Sequence, residues 1–211
     1  MEYAEGIKIN GMHSFIDFDL TIADRQIKLP PKTSIRKTVP FMNGYYDYSK
    51  INGAICWGEK EIQYTFDIVG DTVQQMDEKR TQFINWLCNL HDVDIYDDTI
   101  PDYHFHGSFD NIDQNEEGEK SEVTVTFICY PFMIANEPTQ MYISGDFTII
   151  NKGQPVRPFL TAEQAVTITI GEMSQSVPAG ETQLSIIFPN GETKGHISEG
   201  VSLLSWNTEV L

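Results

Sequence analysis

Apolar and polar residues alternate along most of this chain, which is typical of β-strands that bury one face. In the segment SFIDFDLTI, residues 14–22, polar residues separate the apolar positions Ile16, Phe18, Leu20 and Ile22. The same alternation recurs in residues 61–70, 122–132, 165–171 and 182–191. Asn-Gly dipeptides begin at residues 10, 43, 52 and 190 and predict turns, because both residues tolerate a positive φ. The sequence therefore predicts a mainly β chain.

One segment, residues 71–92, departs from this alternation. Its apolar residues are separated by three, four or seven positions, which are one or two helical turns: Val73, Met76, Phe83, Leu87 and Leu90. Such a stripe covers one face of a helix, and Asp71 or Thr72 is suited to cap its amino end. We predict a single amphipathic helix over residues 72–90, packed on the sheet.

Two polar segments divide the predicted strands. Residues 113–122, DQNEEGEKSE, are acidic and contain a central glycine, which favours the tip of a hairpin. Residues 135–140, ANEPTQ, are the best candidate for a domain boundary. We therefore predict a first domain at residues 1–137 and a second at residues 138–211. Short strands, Gly and Pro at turns and little charge indicate that the second is a small β-sandwich.

His104 and His106 lie two positions apart, so in a strand both imidazoles project from the same face. Paired histidines are candidate metal ligands, but a zinc site needs three or four convergent ligands. Glu116, His13 and His91 would complete such a site only if folding brought them to it. The alternative is that the aromatic residues between the histidines face the core while the histidines form an ordinary strand surface.

The segment DVDIYDD, residues 92–98, is rich in carboxylates and is a candidate calcium loop. Its spacing does not fit an EF-hand, because Asp97 stands where the loop needs glycine and Tyr103 where it needs glutamate. A strand with Val93 and Ile95 on one face accounts for the segment better.

The formal net charge of −17 limits the choice of partners. Residues 141–211 hold seven acids and three bases, a net −4, which leaves −13 for residues 1–140. Tight binding to nucleic acid or to an anionic membrane is disfavoured, because phosphate contacts need Lys and Arg. A surface along which DNA passes without sticking is compatible with this charge, and so is retention of acids for solubility.

Other chemical signals are weak. The sequence has no glycine-rich phosphate loop, no Gly-x-Ser-x-Gly elbow and no His-Glu-x-x-His motif. Cys56, Cys88 and Cys129 are odd in number with apolar neighbours, which predicts buried, reduced thiols. The start, MEYAEGIKING, lacks a signal-peptide pattern, so we expect synthesis in a cytoplasm. We predict no catalytic, cofactor-binding or metal-binding residues, and no enzyme.

The order of the predicted elements resembles the amino-terminal domain of siphophage distal tail proteins, the Dit family, which is related to the phage tail-tube fold. The resemblance spans residues 5–135. Its most specific motifs are Phe127-x-Cys129-x-Pro131-Phe132 and Phe83-x-x-Trp86-Leu87. Further on, Asn151, Gly153, Pro155 and Pro158 resemble the entry into the galectin-like sandwich of these proteins. The carboxyl end, SWNTEVL, departs from the family pattern because it is short and lacks a clear Pro-Gly-x-Asn turn.

The resemblance implies a fold class and a role. The fold would be mainly β, with a tail-tube-like ring domain carrying one packed α-helix, followed by a small galectin-like β-sandwich. The role would be structural: a homohexameric ring at the virion tail tip, between the tail-tube protein and the tail-associated hub protein. Receptor-binding protein or fibres would attach outside, and DNA would pass through the ring without specific binding.

Two other functions are compatible with the sequence. One is a carbohydrate-binding module formed by residues 141–211. Its candidate aromatic residues, most of them at predicted inward positions, are Tyr142, Phe147, Phe159, Phe188 and Trp206. The other is a metal-dependent enzyme centred on His104 and His106.

Overall fold

The computed structural model describes residues 5–49, 55–117 and 120–211, and within these ranges it contains seventeen strands and one helix. The elements of the first half are β1 Ile7–Ile9, β2 Met12–His13, β3 Thr21–Ile27, β4 Arg36–Lys37, β5 Tyr46–Asp47, β6 Lys60–Val69, α1 Val73–Leu87, β7 Val93–Asp97, β8 Tyr103–Glu117 and β9 Lys120–Cys129. Those of the second half are β10 Met133–Ala135, β11 Thr139–Asn151, β12 Phe159–Ala162, β13 Val166–Ile170, β14 Met173–Val177, β15 Gly180–Gln183, β16 Gly191–Trp206 and β17 Glu209–Val210. The prediction of a mainly β chain with one packed helix is confirmed.

The chain forms two compact units, Met1–Met133 with Leu211, and Ile134–Val210. Each unit has its own cluster of buried apolar side chains. In the first unit, seven antiparallel strands form a sheet in the order β2-β1-β7-β8-β9-β6-β3. Side chains along β6 alternate between buried and half-buried, as the period-2 pattern predicts.

The helix begins where the sequence predicts. Thr72 has an extended backbone, and its hydroxyl oxygen accepts a hydrogen bond from the Gln75 backbone N–H at 3.3 Å. Phe83 is fully buried and meets the Phe66 ring of β6 edge to face, with the ring centroids 4.9 Å apart. Within the described residues, no helix is long and apolar enough to cross a membrane.

The helix ends at Leu87, three residues before its predicted end. The Leu90 N–H donates to the Leu87 carbonyl at 2.9 Å, so the chain leaves the α-helix through a tighter turn. Leu90 nevertheless stays buried with the core, which is why its position fitted the apolar stripe.

The sheet of the first unit curves around the core, so that strands far apart in the strand order come into contact. Asp97 of β7 is buried, and its carboxylate accepts hydrogen bonds from Tyr64 of β6 at 2.9 Å and Arg25 of β3 at 2.9 Å. Two strands, β8 and β9, separate β7 from β6 along the sheet. These bonds therefore cross the interior and hold two parts of the sheet face to face.

The strand predicted over residues 14–22 is wrong in its first half. Residues 14–18 form turns, and the strand begins only at Thr21. The Asp17 carboxylate accepts the His13 backbone N–H at 2.6 Å, and Asp19 has φ +56°. A short acidic side chain that bonds nearby backbone competes with strand pairing, and alternation alone does not reveal this competition.

The acidic hairpin over residues 113–122 is confirmed by the ladder between β8 and β9, which continues to Glu117 opposite Lys120. Its tip, residues 118–119, and the predicted Asn52-Gly53 turn lie outside the described residues. The Asn10-Gly11 turn has the expected positive φ at both positions, 50° and 83°.

The second unit is built around the long strand β16. It pairs with β11 along nearly its whole length, with β13 near its start and with β12 near its end. Between Ile197 and Ser202 the strand departs from this pairing, and Gly200 there has φ +74°. One strand thus contributes to two parts of a sandwich whose core includes Phe188 and Trp206.

Asn151, one of the residues that carry the family resemblance, is buried and fixes a loop of the second unit. Its amide nitrogen donates to the carbonyl oxygens of Gln154 at 2.8 Å and Phe188 at 3.3 Å. Its side-chain oxygen accepts the Gly153 N–H at 3.0 Å. The loop therefore depends on hydrogen bonds that only an amide in this position supplies.

Candidate functional site

The two histidines of β8 face away from the core, as the strand-surface interpretation predicts. Phe105, between them, is fully buried. His106 Nδ1 lies 2.7 Å from Asp94 Oδ1, and His106 Nε2 lies 2.8 Å from Asp92 Oδ1. Both ring nitrogens thus face carboxylate oxygens, which accept hydrogen bonds, so the doubly protonated imidazolium fits this position.

The electrostatics agree with that geometry. The hydrogen bond to Asp94 is the main cause that raises the pKa of His106, and the bond to Asp92 adds to it against partial desolvation. A metal ion needs a nitrogen lone pair, whereas both nitrogens here point at hydrogen-bond acceptors.

The remaining histidines named as candidate ligands take other partners. His13 Nε2 is 3.0 Å from Asp98 Oδ2, and His91 Nδ1 is 2.9 Å from Ser108 Oγ. The His104 ring packs against Tyr96, with centroids 5.1 Å apart, and its Nε2 lies 3.7 Å from Asp94 Oδ1, the oxygen that His106 also contacts. Across the ranges 5–49, 55–117 and 120–211, no group of three or more His, Cys, Asp or Glu residues is arranged to hold a metal. The Glu116 side chain lies outside what the structure describes.

The carboxylate-rich segment at residues 92–98 forms strand β7, with Val93 and Ile95 buried on one face. This confirms the strand prediction. Asp97 is committed to its bonds with Arg25 and Tyr64, which leaves it unsuited to a calcium loop.

The most unusual surface is an extended hairpin, residues 28–58, which we call the arm. Its two sides are joined by backbone bonds: Gly58 N–H to the Pro31 carbonyl at 2.7 Å, and Tyr48 N–H to the Ile35 carbonyl at 2.8 Å. Strands β4 and β5 continue this pairing toward the tip. The arm is thus an ordered two-stranded structure in its described residues, 28–49 and 55–58.

The described residues of the arm form no core of their own. Every residue from 31 to 48 is exposed. The large apolar side chains exposed on it are Leu29, Ile35, Val39, Phe41, Met42, Tyr45, Tyr46, Tyr48 and Ile55. A lone two-stranded hairpin is marginally stable in water, and a dense apolar surface of this kind marks an interaction site.

The arm also differs from the rest of the chain in charge. It holds five of the 14 basic residues and one of the 31 acidic residues, a net charge of +4 against −21 elsewhere. Arg36 lies 4.6 Å from the Tyr45 ring centroid, and Lys32 lies 5.3 Å from that of Trp57. A count of charged residues over residues 28–58 reveals this difference from the sequence alone.

One further residue, Lys60, was not singled out by sequence. It is paired with Cys129 across β6 and β9, and both side chains are buried. Burial lowers the pKa of Lys60 and raises the pKa of Cys129 to about 12. The Lys60 ammonium nitrogen lies 5.6 Å from the Phe105 ring centroid, so the ring faces it in place of water.

The buried-thiol prediction is right for Cys129 and wrong for Cys56 and Cys88, which are exposed. Cys56 lies in the arm, where there is no core to cover it. Cys88 caps the carboxyl end of α1, one residue after the buried Leu87. Apolar neighbours in sequence therefore did not imply burial.

The second unit offers a partial aromatic surface. Phe147, Phe188 and Trp206 are buried, as predicted, whereas Tyr142 and Phe159 are exposed. An open depression of about 480 Å³ lies elsewhere on this unit, where His196 Nδ1 is 2.6 Å from Asp146 Oδ1. Phe147, which lines this depression, is 7% exposed and unable to stack on a sugar ring.

Sequence comparisons give no match: no protein-family model and no curated protein matches this chain. Structure comparison does. The chain aligns over 99% of its length with the whole of the SPP1 Dit protein, described as a paradigm of the hub adsorption apparatus in phages that infect Gram-positive hosts. The sequence identity is 12% and the TM-score is 0.77.

Two chains from activated baseplates of phage P2, one with Ca and one with Sr, align over 99% of this chain and 100% of theirs. Their identities are 7% and 8%, and their TM-scores of 0.47 and 0.44 are too low to establish a shared fold. SPP1 Dit, with its TM-score of 0.77, is the neighbour that shows the fold of this chain. With that protein this chain shares its fold, and the resemblance to the Dit family is confirmed at the level of the fold.

Proposed function

We propose that this protein is a structural subunit of a phage or prophage tail, a distal tail protein that joins the tail tube to the adsorption device at the tail tip. The observation that carries this proposal is the likeness to SPP1 Dit over 99% of the chain. Fold alone does not determine function. The likeness spans both compact units, however, and SPP1 Dit is described as belonging to a hub adsorption apparatus.

In this proposal the chain assembles as a homohexameric ring. The arm supports self-assembly, because its exposed apolar residues need a partner that the single chain does not provide. Rings form when heterologous contacts between identical subunits close by rotation. The tail-tube protein and the hub protein are the expected partners on the two sides, with receptor-binding protein or fibres attached outside.

We assign ring formation to residues 1–137 and an accessory role to the sandwich of residues 138–211. The separate cores of the two compact units support this division. Excess acid in residues 1–140 would repel DNA phosphates and let the genome pass without sticking. The protein would act through shape and not through catalysis, without a cofactor.

The test is the mass of the purified full-length protein in solution. Size-exclusion chromatography with light scattering should give a mass near six times the 24.0 kDa chain, or a multiple of that ring. Negative-stain images of the same fractions should show annuli. A monomer at every practical concentration would contradict the proposal.

A further inference from the structure

The tip of the arm contains a turn that is unfavourable for the residue that occupies it. The Met42 N–H donates to the Val39 carbonyl at 3.2 Å, with Pro40 in the second position of the turn and Phe41 in the third. Phe41 has φ +69°. This is the arrangement of a type II turn, in which the third position favours glycine or asparagine. A bulky aromatic residue is uncommon there.

Nothing within the described chain offsets this strain by covering the side chain. Phe41 is fully exposed, at 110% of its reference surface, and it lies among the exposed residues of the arm. Strained backbone of this kind persists where a contact or an activity requires it. The proline and the backbone hydrogen bond of the turn hold the backbone from which the ring projects, which lowers the entropy lost on docking.

We propose that Phe41 is the anchor by which the arm docks on the acidic surface of a second copy of this chain. The inference rests on the proposed self-assembly and assigns one of its contacts. A net charge of +4 on the arm opposes −21 on the remainder of each copy, so the arm of one copy attracts the body of another. Aromatic anchors typically dominate the binding energy of such contacts.

The main test is the Phe41→Gly variant of the full-length protein. Glycine adopts a positive φ without strain, so the thermal midpoint of the dissociated subunit should stay the same or rise. Loss of the anchor should raise the dissociation constant of self-association by about thirtyfold, as measured by sedimentation velocity over a concentration series. Phe41→Asn, which also tolerates this backbone, should behave in the same way.

Charge is tested separately with Lys37→Glu, an exposed position in β4. This variant should weaken association, and added salt should weaken the association of wild type more than that of the variant. The matched control is Tyr142→Ala, which removes another exposed aromatic ring, this one from the second unit. Its dissociation constant should stay within about threefold of wild type.

The outcomes separate the two proposals. A wild type that never associates would overturn the proposed function itself. Wild-type association with an unchanged dissociation constant in Phe41→Gly would overturn the anchor and leave the assembly proposal standing. Binding to phosphatidylglycerol vesicles that Phe41→Gly abolishes, while self-association is unaffected, would also overturn the anchor and assign the tip to an anionic membrane.

Discussion

Asp97 is a single buried carboxylate that links distant strands of a curved sheet. It accepts hydrogen bonds from Arg25 and Tyr64, and also from the backbone N–H and the hydroxyl of Thr99 at 3.0 and 2.8 Å. Burial, with the Asp97 carboxylate as a second cause, raises the pKa of Tyr64 well above its ordinary value. The phenol therefore remains a hydrogen-bond donor throughout the neutral range.

We predict that Asp97→Ala lowers the free energy of unfolding by about 3–5 kcal/mol, because it leaves the Arg25 guanidinium partly buried without its carboxylate. Urea denaturation followed by tryptophan fluorescence measures this loss. The control is Asp113→Ala, at an exposed position of β8, which should change stability by less than about 0.5 kcal/mol. Equal effects of the two substitutions would show that the network contributes nothing specific.

His106 makes part of the stability depend on pH. Its pKa is raised in the folded protein, so its contribution is fully present below its ordinary value of 6.5 and is lost as the pH rises through the folded pKa. The side chain is 38% exposed, and solvent screening keeps the effect small.

The corresponding measurement is the free energy of unfolding of wild type and His106→Gln across the neutral range. The stability advantage of wild type over the variant should shrink as pH increases. Asp94→Asn, which removes the stronger hydrogen-bond partner, should show a similarly reduced pH dependence. Parallel curves for wild type and His106→Gln would contradict the assignment.

At the scale of single residues, the sequence predicted which face of a strand a side chain occupies, but not which residues that side chain contacts. The period-2 pattern placed Phe105 inward and the histidines outward, since alternation follows directly from strand geometry. It did not predict that Asp94 of the neighbouring strand and Asp92, just before that strand, would contact His106. That contact depends on which strands pair and in what register, and register is a property of the whole sheet.

The helix provides a prediction at the scale of one element. Thr72→Ala should destabilise the first unit by about 1 kcal/mol, because the Gln75 N–H loses its acceptor at the helix start. Thr72→Ser keeps the hydroxyl and should be close to wild type. Chemical denaturation monitored by far-UV circular dichroism distinguishes the two. If serine were as damaging as alanine, the cap would not be the cause.

Helices and strands were predictable from the sequence where the spacing of apolar residues determines the element and no local hydrogen bonds compete with it. The stripe through Met76, Phe83 and Leu87 identified the helix, because these residues do form its buried face. The strand predicted over residues 14–22 began too early because the Asp17 and Asp19 turn is stabilised by local hydrogen bonds. Side-chain bonds to nearby backbone leave no trace in the hydrophobic period.

At the scale of the whole molecule, we expect the second unit to fold without the first. A fragment of residues 134–211 retains the buried cluster and the complete pairing of β11 with β16. It should unfold cooperatively in urea and give a β-type circular dichroism spectrum. A fragment of residues 1–133 is the matching control for the first unit. A second-unit fragment without a cooperative transition would contradict the proposed domain division.

The architecture was predictable because the order of elements and a few motifs resemble a known family, although the identity to SPP1 Dit is only 12%. The exposure and the positive charge of the arm were not predicted from the sequence. In the sequence its apolar residues are indistinguishable from core residues. The structure shows that they are exposed. Interface residues and core residues share the same composition, so one chain alone does not separate them.

The Asp97 network also determines how the interior of the first unit opens. Strands β3 and β7 meet through side chains alone, whereas every neighbouring pair along the sheet is joined by a backbone ladder. We call this contact between β3 and β7 the seam. It separates when the bonds of Asp97 to Arg25 and Tyr64 break, and no backbone ladder has to break with them. Buried side chains at the seam, such as Tyr64, should therefore become accessible to solvent before the amide protons between β6 and β9 exchange with deuterated solvent, since those exchange only when the sheet itself comes apart.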